Sequence, residues 1–322
     1  MTTPANSIVR LDPHSLTMKR FSALTTMVLP MIGTGMAAWL LWTGQYTWLD
    51  ITLFVVMYLV HMAGVTIGLH RYVTHRAFST SPWLTNVLMV AGGMAAQGPL
   101  LFWVATHRRH HRFADHEGDP HSPNLHGFAF RQRLRGLWYA HMPWMLSEES
   151  TKWSVFAPDV LRDRRLVAHH RYYPMWVLLG LTLPSVVGLV AGQNAAAAFT
   201  GFVFGGLARI FMANQAAWCV GSICHSFGSR RFANDDYSTN NWWVAVLTFG
   251  EGLQNNHHAF PGSFRHAVHW WEPDLSGWMI AGLGRLGLVW DLREPTATAI
   301  EKRLRPASDR SVPNIQPWTS TK

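Results

Sequence analysis

Charge and cysteine are what this 322-residue sequence has least of. Only 14% of its residues are charged, against roughly 25% in ordinary soluble domains. A chain this poor in charge and 48% hydrophobic argues against a soluble globular protein. Two cysteines, Cys219 and Cys224, stand in an apolar run without CxxC spacing. A disulfide framework is not implied, and the two read as buried thiols. The first 20 residues contain no apolar core segment, so no cleavable signal peptide is expected. Lys and Arg are absent from two short links, residues 42–50 and 193–197, although the chain carries 27 of them and a net charge of +9. A basic balance suits nucleic acid or an anionic membrane surface. The apolar segments decide for the membrane.

Four such segments are present: residues 21–41, 51–69, 172–192 and 198–220. Each is close to the ~20 residues that cross a hydrocarbon core. Pro30 is expected to kink the first. Arg209 in the fourth is costly there, and either snorkels or faces the protein interior. The insertion 71–171 holds 13 Lys and Arg, which puts it, and both termini, on the cytoplasmic side. Within it, Pro82 to Ala105 is uncharged and Gly-rich and reads as a re-entrant or interfacial segment. The expected architecture is an all-α integral membrane protein with four transmembrane helices and a cytosolic helical cap. It has a loosely ordered N-terminal arm (1–20), a membrane domain (21–305, with the cap from 70–171 and 225–305) and a tail (306–322).

What the chain does have is histidine, 18 residues of it. His107, His110 and His111 sit at helical spacings that share one face. His70 and His75 follow the second apolar run, His225 follows the fourth, and His257 and His258 lie further on. All eight fall on one side of the expected topology. Eight imidazoles are too many for one ion, because a tetrahedral site takes four ligands. Two metals fit better. Adjacent His257 and His258 point about 100° apart on a helix and can serve different ions. His70 and His75, five apart, diverge on a regular helix. Imidazole suits iron, zinc, copper and nickel. Two nitrogen-held metals beside an apolar domain suit oxygen activation on a lipid, and iron fits that redox chemistry where zinc fits hydrolysis.

These residues resemble the membrane-bound fatty acid desaturases of the acyl-CoA (stearoyl, delta-9) type, in a bacterial-like form. His70-Arg-Tyr-Val-Thr-His75 matches that family's HxxxxH box, and His107-Arg-Arg-His-His111, continuing through Asp115 and Asp119-Pro-His-Ser122, matches its HxxHH box. His225 matches an additional ligand. Asn240-Asn-Trp-Trp243, Thr248-Phe-Gly-Glu-Gly252, Asn256-His-His-Ala-Phe-Pro261 and Leu286-Gly-Leu-Val-Trp-Asp291 resemble its carboxy-terminal half. The resemblance covers roughly residues 22–294. It implies two iron ions, O2 as co-substrate, and a cis double bond placed in a saturated acyl chain carried on CoA or a lipid. It implies a separate electron donor (a ferredoxin, cytochrome b5 or reductase), since no haem or flavin motif is visible, and no nucleic-acid partner. The eight histidines become the metal ligands. Gln97, Trp103 and Trp144 match positions near the acyl tunnel or headgroup. Two departures stand out. Gln254 occupies the first position of the third box, usually His, either as a weak ligand or supporting one. Gly221 stands where an asparagine near one iron is common. Asp115 and Asp119 either ligate a metal, orient imidazoles, or are solvated or capping carboxylates. His61 reads as a hydrogen-bonded interior residue, His121 as a surface residue or one that supports a ligand, His266 as packed or at the surface, and Trp242, Trp243, Trp270 and Trp271 as an interfacial aromatic belt. The competing functions are a diiron alkane or lipid hydroxylase and a non-enzymatic metal-binding membrane protein.

Overall fold

The computed structural model describes residues 3–306. Four of its helices are long and apolar enough to cross a membrane: Pro13–Trp42, Trp48–Thr74, Tyr173–Gly192 and Ala195–His225. In the first and third, only 22% and 17% of the most apolar window is buried. Phe21, Ile32, Met175, Leu178 and Val190 on them face outward, so most of their surface needs an apolar solvent.

The helices outrun the apolar runs that announce them. Pro13 starts the first helix behind Asp12, whose side chain accepts from the amides of His14 and Ser15. A proline at the first helical position and an aspartate cap are strong start signals, and they override the polarity of residues 14–20. The rest of the described arm is also ordered. Ile8–Arg10 pairs antiparallel with Glu149–Thr151, which replaces the loose arm expected from composition. A second short pairing, Ser79–Thr80 with Val289–Trp290, ties the carboxy-terminal region to the second helix. Residues 307–322 of the expected tail lie outside the described residues.

Small residues let the helices meet. A Cβ at Gly33 would fall 2.2 Å from Leu207 Cβ, one at Gly188 2.2 Å from Ala197 O, and one at Gly205 2.5 Å from Pro184 Cβ. Such close approach is how membrane helices gain packing without a hydrophobic drive. Pro82 to Ala105 becomes two helices, Pro82–Gly93 and the start of Leu100–Phe113, the first of 12 residues and too short to span.

Arg209 is fully buried and faces the interior. Pro184 has no N–H, so the carbonyl of Gly180 loses its helical partner. Arg209 Nη2 donates to that oxygen at 2.6 Å. Its Nη1 donates to Met94 O at 2.8 Å and its Nε to Gly205 O at 2.8 Å. One guanidinium thus satisfies the proline break, the end of the 12-residue helix and a π-helical turn. His61, buried beside it, lies with Nδ1 3.3 Å from Nη1. Arg209→Met strands the Gly180 carbonyl that Pro184 cannot serve, at about 1–3 kcal/mol, and removes the donors to Met94 O and Gly205 O. The expected result is a clearly lowered melting temperature in detergent, with Arg209→Lys recovering part of it.

A candidate dimetal centre

The second long helix changes at Gly64 from α to π, and stays π through Thr74. In a π-helix residue i+5 lies over residue i. His75 N accordingly donates to His70 O at 3.1 Å, and the two imidazoles lie 4.7 Å apart. The divergence expected on a regular helix does not occur. The wide turn is possible because the neighbouring helix comes close: a Cβ at Gly64 would sit 2.3 Å from the carbonyl carbon of Ala91, and one at Gly68 2.9 Å from Leu88 O. Arg108 secures the end of the segment by donating to Val73 O and Thr74 O, both at 3.0 Å, while Asp159 holds Arg108 at 2.6 Å.

Leu100–Phe113 carries His107, His110 and His111. His225 ends the fourth long helix, and Gln254–Ala259 is a short helix that presents His257 and His258. Together they bring all eight histidines into two groups: His70, His75, His107, His111 and His257 in one, His110, His225 and His258 in the other, with ligand atoms inside each group within 4.8 Å of one another. The histidine pair 257/258 splits between the groups, as does the set on Leu100–Phe113.

Neighbouring Nε2 atoms of the first group approach at 3.1 Å (His70–His257), 3.1 Å (His75–His107), 2.9 Å (His107–His111) and 2.9 Å (His111–His257). Metal–imidazole bonds run about 2.0–2.1 Å. At a right angle two such nitrogens are about 3.0 Å apart; at a tetrahedral angle, about 3.4 Å. The observed edges match a five- or six-coordinate ion and not a tetrahedral one. In the second group His110 Nε2, His225 Nε2 and the Gln254 Oε1 are buried with no hydrogen-bond partner, a costly state that a bound cation would relieve. Gln254 Nε2 lies 3.0 Å from His258 Nε2. A half-turn of the amide exchanges its two polar atoms and would bring the oxygen to that point. The donors present therefore fit two cations, with five imidazoles for one, and three imidazoles plus an amide for the other.

Behind the rings stand carboxylates. Glu251 meets His70 Nδ1 at 2.5 Å, Asp119 meets His110 Nδ1 at 3.0 Å, Asp115 meets His225 Nδ1 at 2.7 Å and Asp236 meets His258 Nδ1 at 2.8 Å. Each accepts from Nδ1–H, fixing the tautomer whose Nε2 lone pair faces its group; this is the usual support of metal-binding histidines. Asp115 and Asp119 thus orient imidazoles. Asp115 is itself held by Ser122 Oγ, Asn124 Nδ2 and Tyr237 N at 2.6–2.8 Å. Burial alone would raise the Asp115 and Asp236 carboxyls, but their pairing with His225 and His258 holds both well below the usual carboxylate range. Burial, reinforced by neighbouring imidazoles, holds His107, His111 and His257 well below theirs, so they are neutral and able to bind metal.

That depression has a stability consequence for metal-free protein. The unfolded imidazoles take up protons near pH 6.5 and the buried ones only at lower pH, so the unfolded state binds more protons below that point. Metal-free protein is expected to lose stability as pH falls below about 6.5, with a further loss once the unfolded carboxylates protonate. Melting curves of chelator-treated protein across that range check it.

Glu251, Asp236, His121 and His266 join the site without a sequence signal for it: no spacing rule marks Glu251 or His121, and Asp236 lies in a loop without pattern. His266 is buried with both ring nitrogens unpartnered, its ring 4.4 Å from His257 and its Nδ1 3.7 Å from Glu251. His121 stacks on His110 at 4.5 Å and 25°. With His110 and Asp119 it forms a further group whose ligand atoms lie within 4.8 Å of one another. It also fills the space beside Gly221, whose missing Cβ would sit 3.4 Å from His121 Nδ1.

An apolar cavity opens on both groups. Met62, Val65, Phe102, Trp103, Trp144 and Trp218 line it together with His70, His107, His110 and Gln254. Gln97, Trp103 and Trp144 all reach it. Trp103 Nε1 donates to Gln97 Oε1 at 3.2 Å, and its ring stacks on His107 at 5.1 Å. Trp242, Trp243, Trp270 and Trp271 are exposed, far more so than the cavity tryptophans.

Residues 46–279 match the fatty acid desaturase family. A hex-5-enoyl-[acyl-carrier protein] acetylenase of Moorena producens is 42% identical over 86% of this chain and 87% of its own. An sn-1 stearoyl-lipid 9-desaturase of Synechocystis is 33% identical over 80% of this chain and 76% of its own. An acyl-CoA 5-desaturase of Anemone leveillei is 34% identical over 77% and 72%.

Proposed function

We propose, from the premise that this chain belongs to the fatty acid desaturase family, that the enzyme removes two hydrogens from adjacent methylenes of a saturated acyl chain at a histidine-held diiron centre and leaves a cis double bond. The carrying observation is the pair of buried imidazole groups, five and three, opening on one apolar cavity. His70, His75, His107, His111 and His257 would hold one iron. His110, His225 and His258 would hold the other, with Gln254 beside them. The right-angled nitrogen spacing of the first group favours iron over tetrahedral zinc. Bound there, the irons would supply the oxidant that an unactivated C–H bond demands.

The chain's own residues do the rest. Asp115, Asp119, Asp236 and Glu251 hold the imidazoles in the metal-binding tautomer. Trp103, fixed by Gln97, walls the cavity against His107, so an acyl chain lying there is held at a set carbon relative to the histidines. The tryptophans and methionines around it exclude water from the reacting segment. In the balance, the acyl chain gives up two electrons and two protons, a separate donor gives two electrons, and with two further protons O2 becomes two waters. A ferredoxin, cytochrome b5 or reductase would deliver those electrons at the cytoplasmic face, where the basic residues of 71–171 lie. The acyl carrier is a CoA or a lipid, and delta-9 placement follows the resemblance to stearoyl-type enzymes. A second reading, conversion of an existing alkene to an alkyne, is favoured by the similarity to the Moorena acetylenase.

Lipid profiling after expression in a desaturase-deficient host tests the reading. A new alkene lost on His107→Ala is expected. Hydroxylated lipid without alkene would refute it, and an alkyne made only from supplied alkene would select the second reading.

A further inference from the structure

Behind Gln97 and Trp103, on the wall of the apolar cavity, lies a buried polar row that neither metal group uses. Gln97 stands in the turn between Pro82–Gly93 and Leu100–Phe113. Its two neighbours are left-handed, Ala96 at φ 56° and Gly98 at φ 100°. A non-glycine residue held there is strained, and such strain persists only where the surroundings impose it. Gly98 N anchors the turn by donating to Tyr173 Oη at 2.9 Å. The Gln97 amide is held at both ends. Trp103 Nε1, which can only donate, gives its hydrogen to Gln97 Oε1 at 3.2 Å. The amide nitrogen therefore faces the other way and meets His61 Nε2 at 3.4 Å.

His61 is fully buried on the second long helix and does not line the cavity. Two donor groups flank its ring. On the far side from Gln97, Arg209 Nη1 lies 3.3 Å from Nδ1 and gives hydrogen to Met94 O at 2.8 Å. A neutral imidazole accepts at one nitrogen only. With Arg209 already served by a carbonyl, that nitrogen is Nε2, and it receives the Gln97 amide. Arg209, His61, Gln97 and Trp103 thus form one row, and its last member stacks on His107 at 5.1 Å and 18°. A glutamine amide with one partner is free to turn; with two it is fixed. An unbranched saturated chain presents identical methylenes, so the choice of carbon rests on the wall the chain lies against. A misplacement of about 1 Å costs about 100-fold in rate.

We propose that His61 sets the register of the reaction. By accepting from Gln97 it fixes the Trp103 indole, and the indole decides which pair of methylenes lies beside the histidines. His61 is a positioning residue that acts through Gln97 and touches neither metal group nor substrate. The proposal rests on the desaturase reading, and its readout is where the double bond falls.

The test compares wild type with His61→Phe, which keeps a ring and loses the acceptor, and His61→Gln, which restores an oxygen. Each is expressed in a desaturase-deficient host, and double-bond positions in the lipids are read by mass spectrometry. Wild type and His61→Gln are expected to give one positional isomer. His61→Phe is expected to spread the double bond over neighbouring positions, with total alkene about tenfold lower at unchanged iron content. Gln97→Leu should give the same spread, and adding His61→Phe to it should change nothing further, because residues acting in series are not additive. Gln97→Leu also carries the test if His61→Phe does not fold. In the full chain before iron loading, the Trp103 indole N–H resonance, assigned by its loss in Trp103→Phe, should move in His61→Phe and return in His61→Gln. A single isomer at the wild-type position from His61→Phe, an unmoved resonance, or a further change in the double variant overturns the proposal. Hydroxylated lipid in place of alkene, its position spread in His61→Phe, would retain the positioning role and refute the desaturase reading. A resonance that moves with no oxidised lipid would refute the desaturase reading alone, and an unmoved resonance with no oxidised lipid would refute both.

Discussion

His258→Ala is expected to lower bound iron from near two to near one per chain and to cut desaturation by more than about 100-fold, the upper end of what loss of even an outer partner costs a metal site. The reason is the inequality of the two groups. The five-imidazole group can lose a ligand and keep four. The three-imidazole group, left with His110 and His225, would have only Gln254 to complete it. His257→Ala is therefore expected to keep more iron than His258→Ala although the residues are adjacent. The vacated space also leaves Asp236, which now meets His258 at 2.8 Å, without its partner. Metal analysis of both variants checks the order, and equal iron loss in the two would show the groups to be equivalent.

Arg71→Met is expected to be the most destabilising single change near the site. Arg71 is fully buried. Its Nη2 lies 2.8 Å from Asp274 and 3.2 Å from Glu251, and its Nη1 donates to Phe264 O at 2.9 Å. Removing the cation leaves two buried carboxylates uncompensated, at about 3–5 kcal/mol. It also frees Glu251, whose other oxygen holds His70 at 2.5 Å. Stability and iron affinity should fall together. Adding Glu251→Gln to Arg71→Met removes one stranded charge and should restore part of the stability without restoring iron, a non-additivity expected of groups in contact. Melting temperature and iron content of the three variants in detergent measure both effects. An Arg71→Met protein as stable as wild type would mean that the pairing carries no net stabilisation.

Much of this arrangement is legible in the sequence because its determinants are local or compositional. Apolar length gives the four long helices. The 1, 4, 5 spacing of His107, His110 and His111 and the adjacency of His257 and His258 already contain the split into two groups. What escapes is set by tertiary contact. The π-helix at Gly64–Thr74 depends on Gly64 and Gly68 meeting Ala91 and Leu88, so a rule based on 3.6 residues per turn gives His70 and His75 the wrong relation. The carboxylates Glu251 and Asp236 reach their histidines across 181 and 22 residues, distances at which no periodicity operates. Arg209 looks anomalous in an apolar run until Pro184, 25 residues earlier, is seen to leave a carbonyl unpaired. Gly221 looks like a loss until His121 is found beside it.

The central claim is two inequivalent metal sites, one of five imidazoles and one of three imidazoles with an amide. Mössbauer spectroscopy of the protein loaded with ⁵⁷Fe addresses it most directly. The account predicts two iron ions per chain and two distinct quadrupole doublets of equal area, with Gln254→His moving one and leaving the other. A single doublet, one iron per chain, or a change in both doublets on Gln254→His would contradict it.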